Sequence, residues 1–197
     1  MATQDRTFSW NAGLLKKNNV VYHRSNKCAG TYLSNLLSAN GWEEIHHYEI
    51  EESDHHFGVI VDPYVRRAKS ITERIFMSNQ QSKIDDPDFL KFIEDMCIVD
   101  EHMIPYSVQF KNIQPLTLFP LIKDHSIVTV LTAFLEQHNI LLKPTENLHT
   151  NSSNAVKLSV YDKVHKALRW GVFEHVFKED ILLYEKILTK FINSTNT

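Results

Sequence analysis

The stretch Val20–Leu37, VVYHRSNKCAGTYLSNLL, decides how this chain is read. Its apolar opening, Val20-Val21-Tyr22, stands between Asn18-Asn19 and Arg24-Ser25-Asn26, the flanks of a short buried strand that enters a polar turn. Thr31, Leu33, Leu36 and Leu37 then recur at helical spacing, with Thr31 or Ser25 placed to satisfy the first orphan amides of a helix. Strand, tight turn with Gly30, helix: this order directs several backbone N–H groups and the positive end of a helix at one point. An anion belongs there. Lys27 sets an ammonium beside that nest of amides, which makes phosphate the expected occupant. The nucleotide-triphosphate signature, in which a lysine directly follows the second glycine, is absent, because Lys27 precedes Gly30.

The rest of the composition sets bounds on this reading. With 197 residues the chain is long enough for one substantial core, so the sequence predicts a single domain over 1–197, with its core at about 18–191 and a frayed tail at 193–197. Apolar residues make up 43% and charged residues 23%, the balance of a globular protein, and a net charge of −3 gives no general attraction to nucleic acid. Any phosphate site is therefore local. Cys28 and Cys97 are the only cysteines, which argues against a disulfide framework and for a reducing compartment. The first residues, MATQDRTFSWNAGLLKKNN, carry no charged-then-apolar secretory pattern, and no run reaches membrane-spanning length; the expectation is a cytoplasmic protein without a membrane partner.

Beyond the first helix, Ala39-Asn40-Gly41 is a stop signal, and Glu44–Ile50 is read as a second short strand. Alternation there puts His46, Tyr48 and Ile50 on one face and Ile45, His47 and Glu49 on the other. Phe57–Val61 is the clearest buried strand; Asp62 caps a helix from Tyr64 to about Met77, opened by Pro63. Arg66, Arg67, Ser70 and Arg74 lie near one another on that helix, a basic, hydroxyl-bearing patch at the carboxyl end of a strand, where open α/β sheets hold their ligands. Further helices are expected at 88–99, 127–138, 160–169 and 173–191, and an edge strand with Pro120 at 116–122.

Lys27-Cys28-Ala29-Gly30-Thr31 after a strand resembles the 5′-phosphosulfate loop of the sulfotransferases, in particular their carbohydrate branch, with Tyr32 where a small residue is common. Asp62-Pro63-Tyr64 with the downstream arginines and Ser70 is similar to the 3′-phosphate motif of the same family. Val61 stands where that motif has an arginine, and Ser70 lies one residue late after Arg66 but in step after Arg67, so both arginines stay candidates. Asp100–Tyr106 resembles the segment that follows this motif, Leu142–Asn154 the loop at the substrate mouth, and Val176–Tyr184 the terminal helix.

The resemblance implies a three-layer α/β/α sandwich around a short central parallel sheet, the P-loop-like sulfotransferase fold. It implies transfer of a sulfuryl group from 3′-phosphoadenosine 5′-phosphosulfate (PAPS) to a hydroxyl or amine, with a carbohydrate or other small molecule as acceptor and adenosine 3′,5′-bisphosphate (PAP) as product. The donor is then held by Arg24, Ser25, Asn26, Lys27, Cys28, Ala29, Gly30, Thr31 and Tyr32 together with Arg66, Arg67 and Ser70. Lys27 stabilises the leaving phosphate oxygen, and His46 or His47, one strand over, serves as base. No metal is implied: adjacent histidines on a strand point to opposite faces, and no cysteine pair supports zinc. Two other readings use the same loop, a nucleotide-binding relative without transfer and a small-molecule kinase; a protein-interaction module needs no nucleotide at all. Oligomeric state leaves no mark on the sequence.

Overall fold

Strands Leu14–Lys17 (β1) and Val20–His23 (β2) form a hairpin, closed by a turn in which Asn18 takes φ 52°, a left-handed value that asparagine tolerates. The structure is a computed structural model that describes residues 13–99, 104–111, 113–122, 126–143, 145, 155–170, 175 and 177–195. After β2 come α1 (Gly30–Ala39), β3 (Glu43–Ile45), β4 (His55–Ile60), α2 (Pro63–Met77) and α3 (Phe89–Val99). They are followed by α4 (Tyr106–Gln109), β5 (Leu116–Pro120), α5 (Ile127–Glu136), α6 (Ala155–Arg169) and α7 (Lys178–Thr195).

The strands form one sheet in the order β3-β1-β2-β4-β5. β2, β4 and β5 run parallel, while β1 is antiparallel to both β2 and β3. The chain is therefore α/β, but its sheet is mixed and not the parallel sheet expected. The hairpin is the reason: β1, which the sequence reading passed over, occupies the edge of β2 that a parallel neighbour would have taken.

Apolar alternation along the strands assigns the layers. Leu15, Val20, Tyr22, Phe57 and Val59 pack against Leu33, Leu36 and Leu37 of α1 and Leu131 and Leu135 of α5. Ile60, Leu116 and Leu118 pack against Tyr106 and Phe110 and against Leu183, Tyr184 and Ile187 of α7. A third cluster joins Ala68, Ile71 and Ile75 of α2 to Ile93 of α3 and to Val160, Val164 and Leu168 of α6.

Local chemistry sets the ends of these elements. Asp62 accepts hydrogen bonds from the amides of Tyr64 (2.8 Å) and Val65 (3.3 Å), and Pro63 opens α2, as the sequence predicts. Gly41, at φ 77°, reverses the chain after α1, and the amides of Asn40, Gly41 and Trp42 bond back to carbonyls of the last turn. β5 lies at the sheet edge, where Pro120 is tolerated.

Four expectations change. Glu44–Ile50 is not one strand: β3 stops at Ile45 because the Glu49 carboxylate accepts from the His46 amide at 2.7 Å, rolling His47–Glu49 into a 3-10 turn. α6 starts earlier, at Ala155, and α7 starts later, at Lys178. α7 also runs through Thr195, so part of the expected frayed tail is helical. The segments 100–103, 144, 146–154 and 176, on which three of the motif resemblances partly rest, lie outside the described residues, as do 171–174.

Candidate functional site

β2 delivers the chain into the turn Arg24–Ala29, and α1 leads it away. Two non-glycine residues there, Lys27 at φ 62° and Ala29 at φ 58°, take left-handed backbone conformations. Each costs about 1–2 kcal/mol for an L-residue, and such strain gathers where a loop must hold a shape for function. The shape is held by side chains. Ser25 Oγ donates to Gln109 Oε1 at 3.1 Å, and Gln109 Nε2 donates to the Arg24 carbonyl at 3.4 Å. Cys28 is buried with its Sγ 3.1 Å from the Tyr106 hydroxyl, which also bonds the amide and the carbonyl of Val61, both at 3.1 Å. Tyr106 thereby ties the turn to the carboxyl end of β4.

Ser25 and Thr31 do not cap α1, contrary to expectation. The residue ahead of the helix is Ala29, and no side chain caps it. Ser25 is committed to Gln109, and Thr31 Oγ1 accepts from Arg24 at 3.3 Å. The first-turn amides of Gly30, Thr31 and Tyr32 have no carbonyl to bond within their own helix. An uncapped helix start at the end of a strand, beside an ammonium, is the arrangement that receives an anion. In the strand before the turn the Tyr22 hydroxyl is buried without a hydrogen-bond partner among the described residues, and burial, then Cys28, hold it protonated well above the ordinary tyrosine range.

Gly30 is required by close approach. A Cβ at this position meets Arg24 Nε at 2.8 Å, Arg24 Cγ at 2.9 Å and the Ser25 carbonyl at 3.2 Å. Gly30→Ala is expected to displace Arg24, cost about 1–3 kcal/mol by overpacking and weaken any anion held by the turn. Thermal melting together with phosphate-ligand calorimetry checks this; unchanged values in both overturn it.

α2 lies directly beside the turn. Arg66 Nε donates to the Asn26 carbonyl at 3.3 Å, and Lys27 is ion-paired with Glu73. Arg66 and Arg67 do not form the open, ligand-facing basic patch that the helix pattern suggested: they are 1% and 2% exposed. Asp180 of α7 faces both, 3.5 Å from Arg66 and 3.8 Å from Arg67, and its other oxygen accepts from the Tyr106 amide at 2.6 Å. Burial pushes the Asp180 carboxyl up, against the pull of Arg66, the Tyr106 amide and Arg67. The Arg66 guanidinium lies 4.3 Å above the Tyr106 ring, and that of Arg67 lies 4.7 Å from the Phe177 ring. Ser70 is buried on the same helix.

The sequence-predicted residues thus divide. Arg24, Ser25, Asn26, Lys27, Cys28, Ala29, Gly30, Thr31 and Tyr32 form one strand-turn-helix unit, with Arg66 against it. His46 and His47 do not stand one strand over: β1 separates β3 from β2, and both histidines are exposed at the sheet edge, with His46 stacked on Tyr48. The reading missed Tyr106, Gln109, Glu73 and Asp180 as partners of the turn. Tyr106 and Asp180 lay within quoted motifs, but pairing between residues 74 apart leaves no local signal.

Another polar cluster sits behind the turn. His23 Nε2 and His56 Nδ1 are 2.9 Å apart and both residues are buried, so one ring donates and the other accepts. Burial, then His56 and His47, push the His23 pKa down to about 3, and burial also lowers that of His56. Both groups are neutral in the folded state and take up protons on unfolding. The stability this contributes is complete above the ordinary histidine range near 6.5 and is lost as pH falls toward 3. Between pH 7.5 and 5 the loss from His23 is about 2 kcal/mol. Urea midpoints at the two pH values test it; a constant midpoint overturns it.

No family model, curated protein or solved structure matches the chain. Among the described residues no group of three or more His, Cys, Asp and Glu could hold a metal, and no helix is long and apolar enough to cross a membrane.

Proposed function

We propose that this chain is a sulfotransferase that moves a sulfuryl group from PAPS to a hydroxyl or amine, with a carbohydrate as the favoured acceptor. The observation that carries the reading is the uncapped start of α1 at the end of a turn whose Asn26 and Lys27 meet the Arg66-bearing helix. The mixed α/β sheet, with its turn at the carboxyl end of a parallel strand, is compatible with the P-loop-like sulfotransferase fold. With only two cysteines in the chain, a reducing cytoplasm suits it.

In this reading the amides of Gly30, Thr31 and Tyr32 hold the 5′-phosphate, and Arg66 or Arg67 takes the 3′-phosphate only by turning from Asp180, which faces both in this structure. The acceptor oxygen attacks sulfur in line, and the bond from sulfur to the bridging phosphate oxygen breaks. PAP leaves with the electron pair, and Lys27 stabilises the charge growing on that oxygen. The acceptor proton passes to a base; His46 and His47 are two strands from the turn, so the proposal does not rest on either.

A second reading, nucleotide binding without transfer, is suggested by Val61, which stands where the 3′-phosphate motif has an arginine. Calorimetry with PAP and transfer from labelled PAPS to a panel of sugars separates the two. Binding with transfer supports the enzyme, binding alone supports the second reading, and absence of binding removes both. Magnesium-dependent ATP turnover points to the kinase.

A further inference from the structure

Arg66, Ser70 and Glu73 follow one another along α2 at spacings of four and three, which puts them in one row on one side of the helix. The ends of that row meet consecutive residues of the turn: Arg66 donates to the Asn26 carbonyl, and the Glu73 carboxylate takes the Lys27 ammonium. The turn is thus closed by an acid on Lys27, three residues ahead of the start of α1. Lys27 is 21% exposed and Glu73 37% exposed at the side chain, so both are within reach of solvent and of a ligand.

We infer that Glu73 is a carboxylate gate on the anion site: it holds Lys27 and must release it when a phosphate ligand enters. This deepens the sulfotransferase reading and rests on it. A carboxylate and a phosphate cannot share one ammonium at full strength, because the two anions repel at contact distance. An entering nucleotide therefore exchanges the Lys27–Glu73 pair for a Lys27–phosphate pair, and the Glu73 carboxylate turns to solvent. No bond is made or broken in the exchange. A free phosphate, with fewer further contacts to the turn, gains less from it than a bisphosphorylated nucleotide does, so the gate favours the larger ligand.

Glu73→Gln keeps the shape of the side chain and removes its charge. Because the pair is partly exposed, E73Q is expected to tighten PAP binding about threefold to fivefold with little change in melting temperature, measured by calorimetry at fixed salt. Two controls identify the cause. Glu52→Gln, an exposed acid on a turn elsewhere, is expected to leave affinity unchanged, and the tightening is expected to vanish when E73Q is made in a Lys27→Met background. If wild type binds PAP and E73Q binds equally or more weakly, the gate falls and the sulfotransferase reading stands. Equal tightening by E52Q, or tightening that persists without Lys27, also removes the gate, since the effect is then one of overall charge. If neither wild type nor E73Q binds PAP, the sulfotransferase reading falls and takes the gate with it.

Discussion

Asp180→Ala is expected to lower the folding stability by about 3–5 kcal/mol, the largest loss that any single substitution near the site should produce. Asp180 is 1% exposed, and one carboxylate carries three obligations, to Arg66, Arg67 and the Tyr106 amide. Alanine leaves two buried guanidiniums without that counter-charge and orphans a buried N–H, which alone costs about 1–3 kcal/mol. Domains of this kind hold only about 5–15 kcal/mol in total, so the variant should sit close to its threshold. Asp180→Asn keeps an acceptor for the Tyr106 amide and is expected to lose less. Urea titration followed by tryptophan fluorescence measures both, and a loss below about 1 kcal/mol for alanine would place the cluster among ordinary surface ion pairs. Three elements meet at this carboxylate, α2, α4 and α7, so destabilisation should loosen the anchorage of the turn through Tyr106 before the rest of the sheet opens.

Local signals in the sequence were enough to locate the turn. A buried run ending at His23, a polar turn with Gly30 and a leucine periodicity put the strand-turn-helix unit where it is found. Asp62-Pro63 fixed the start of α2 in the same way, because capping chemistry is written within three residues. What stayed hidden depends on residues far apart. β1 is only four residues long, and two of the four are lysines, so neither length nor alternation marked it as the strand that turns a parallel sheet into a mixed one. That omission displaced His46 and His47 by a strand. The arginines of α2 read as a charged surface because composition alone cannot show that Asp180, Tyr106 and Phe177 fold over them. The same gap kept Glu73 out of view: on a helix rich in basic residues an acid suggests neighbours at helical spacing, whereas its partner is the turn.

Lys27→Ala is expected to reduce sulfuryl transfer by at least about a hundredfold to a thousandfold while leaving the fold in place. Lys27 pairs with a partly exposed glutamate, a contact worth about 0–1 kcal/mol, so melting should move little. The loss should fall on kcat and not on the KM for the donor, because the bridging oxygen carries its charge in the transition state and not in bound PAPS. PAP binding should weaken only modestly, since Lys27 supplies one charge among several contacts to the phosphate. The double variant Lys27→Ala/Glu73→Gln separates these effects: it is expected to bind PAP no more tightly than Lys27→Ala alone and to recover no turnover. Transfer from labelled donor and calorimetry on the three proteins read out the two quantities independently. If turnover returns with the second substitution, the carboxylate had been the obstacle and Lys27 has no part in the chemistry; if it stays lost, the ammonium acts on the leaving oxygen.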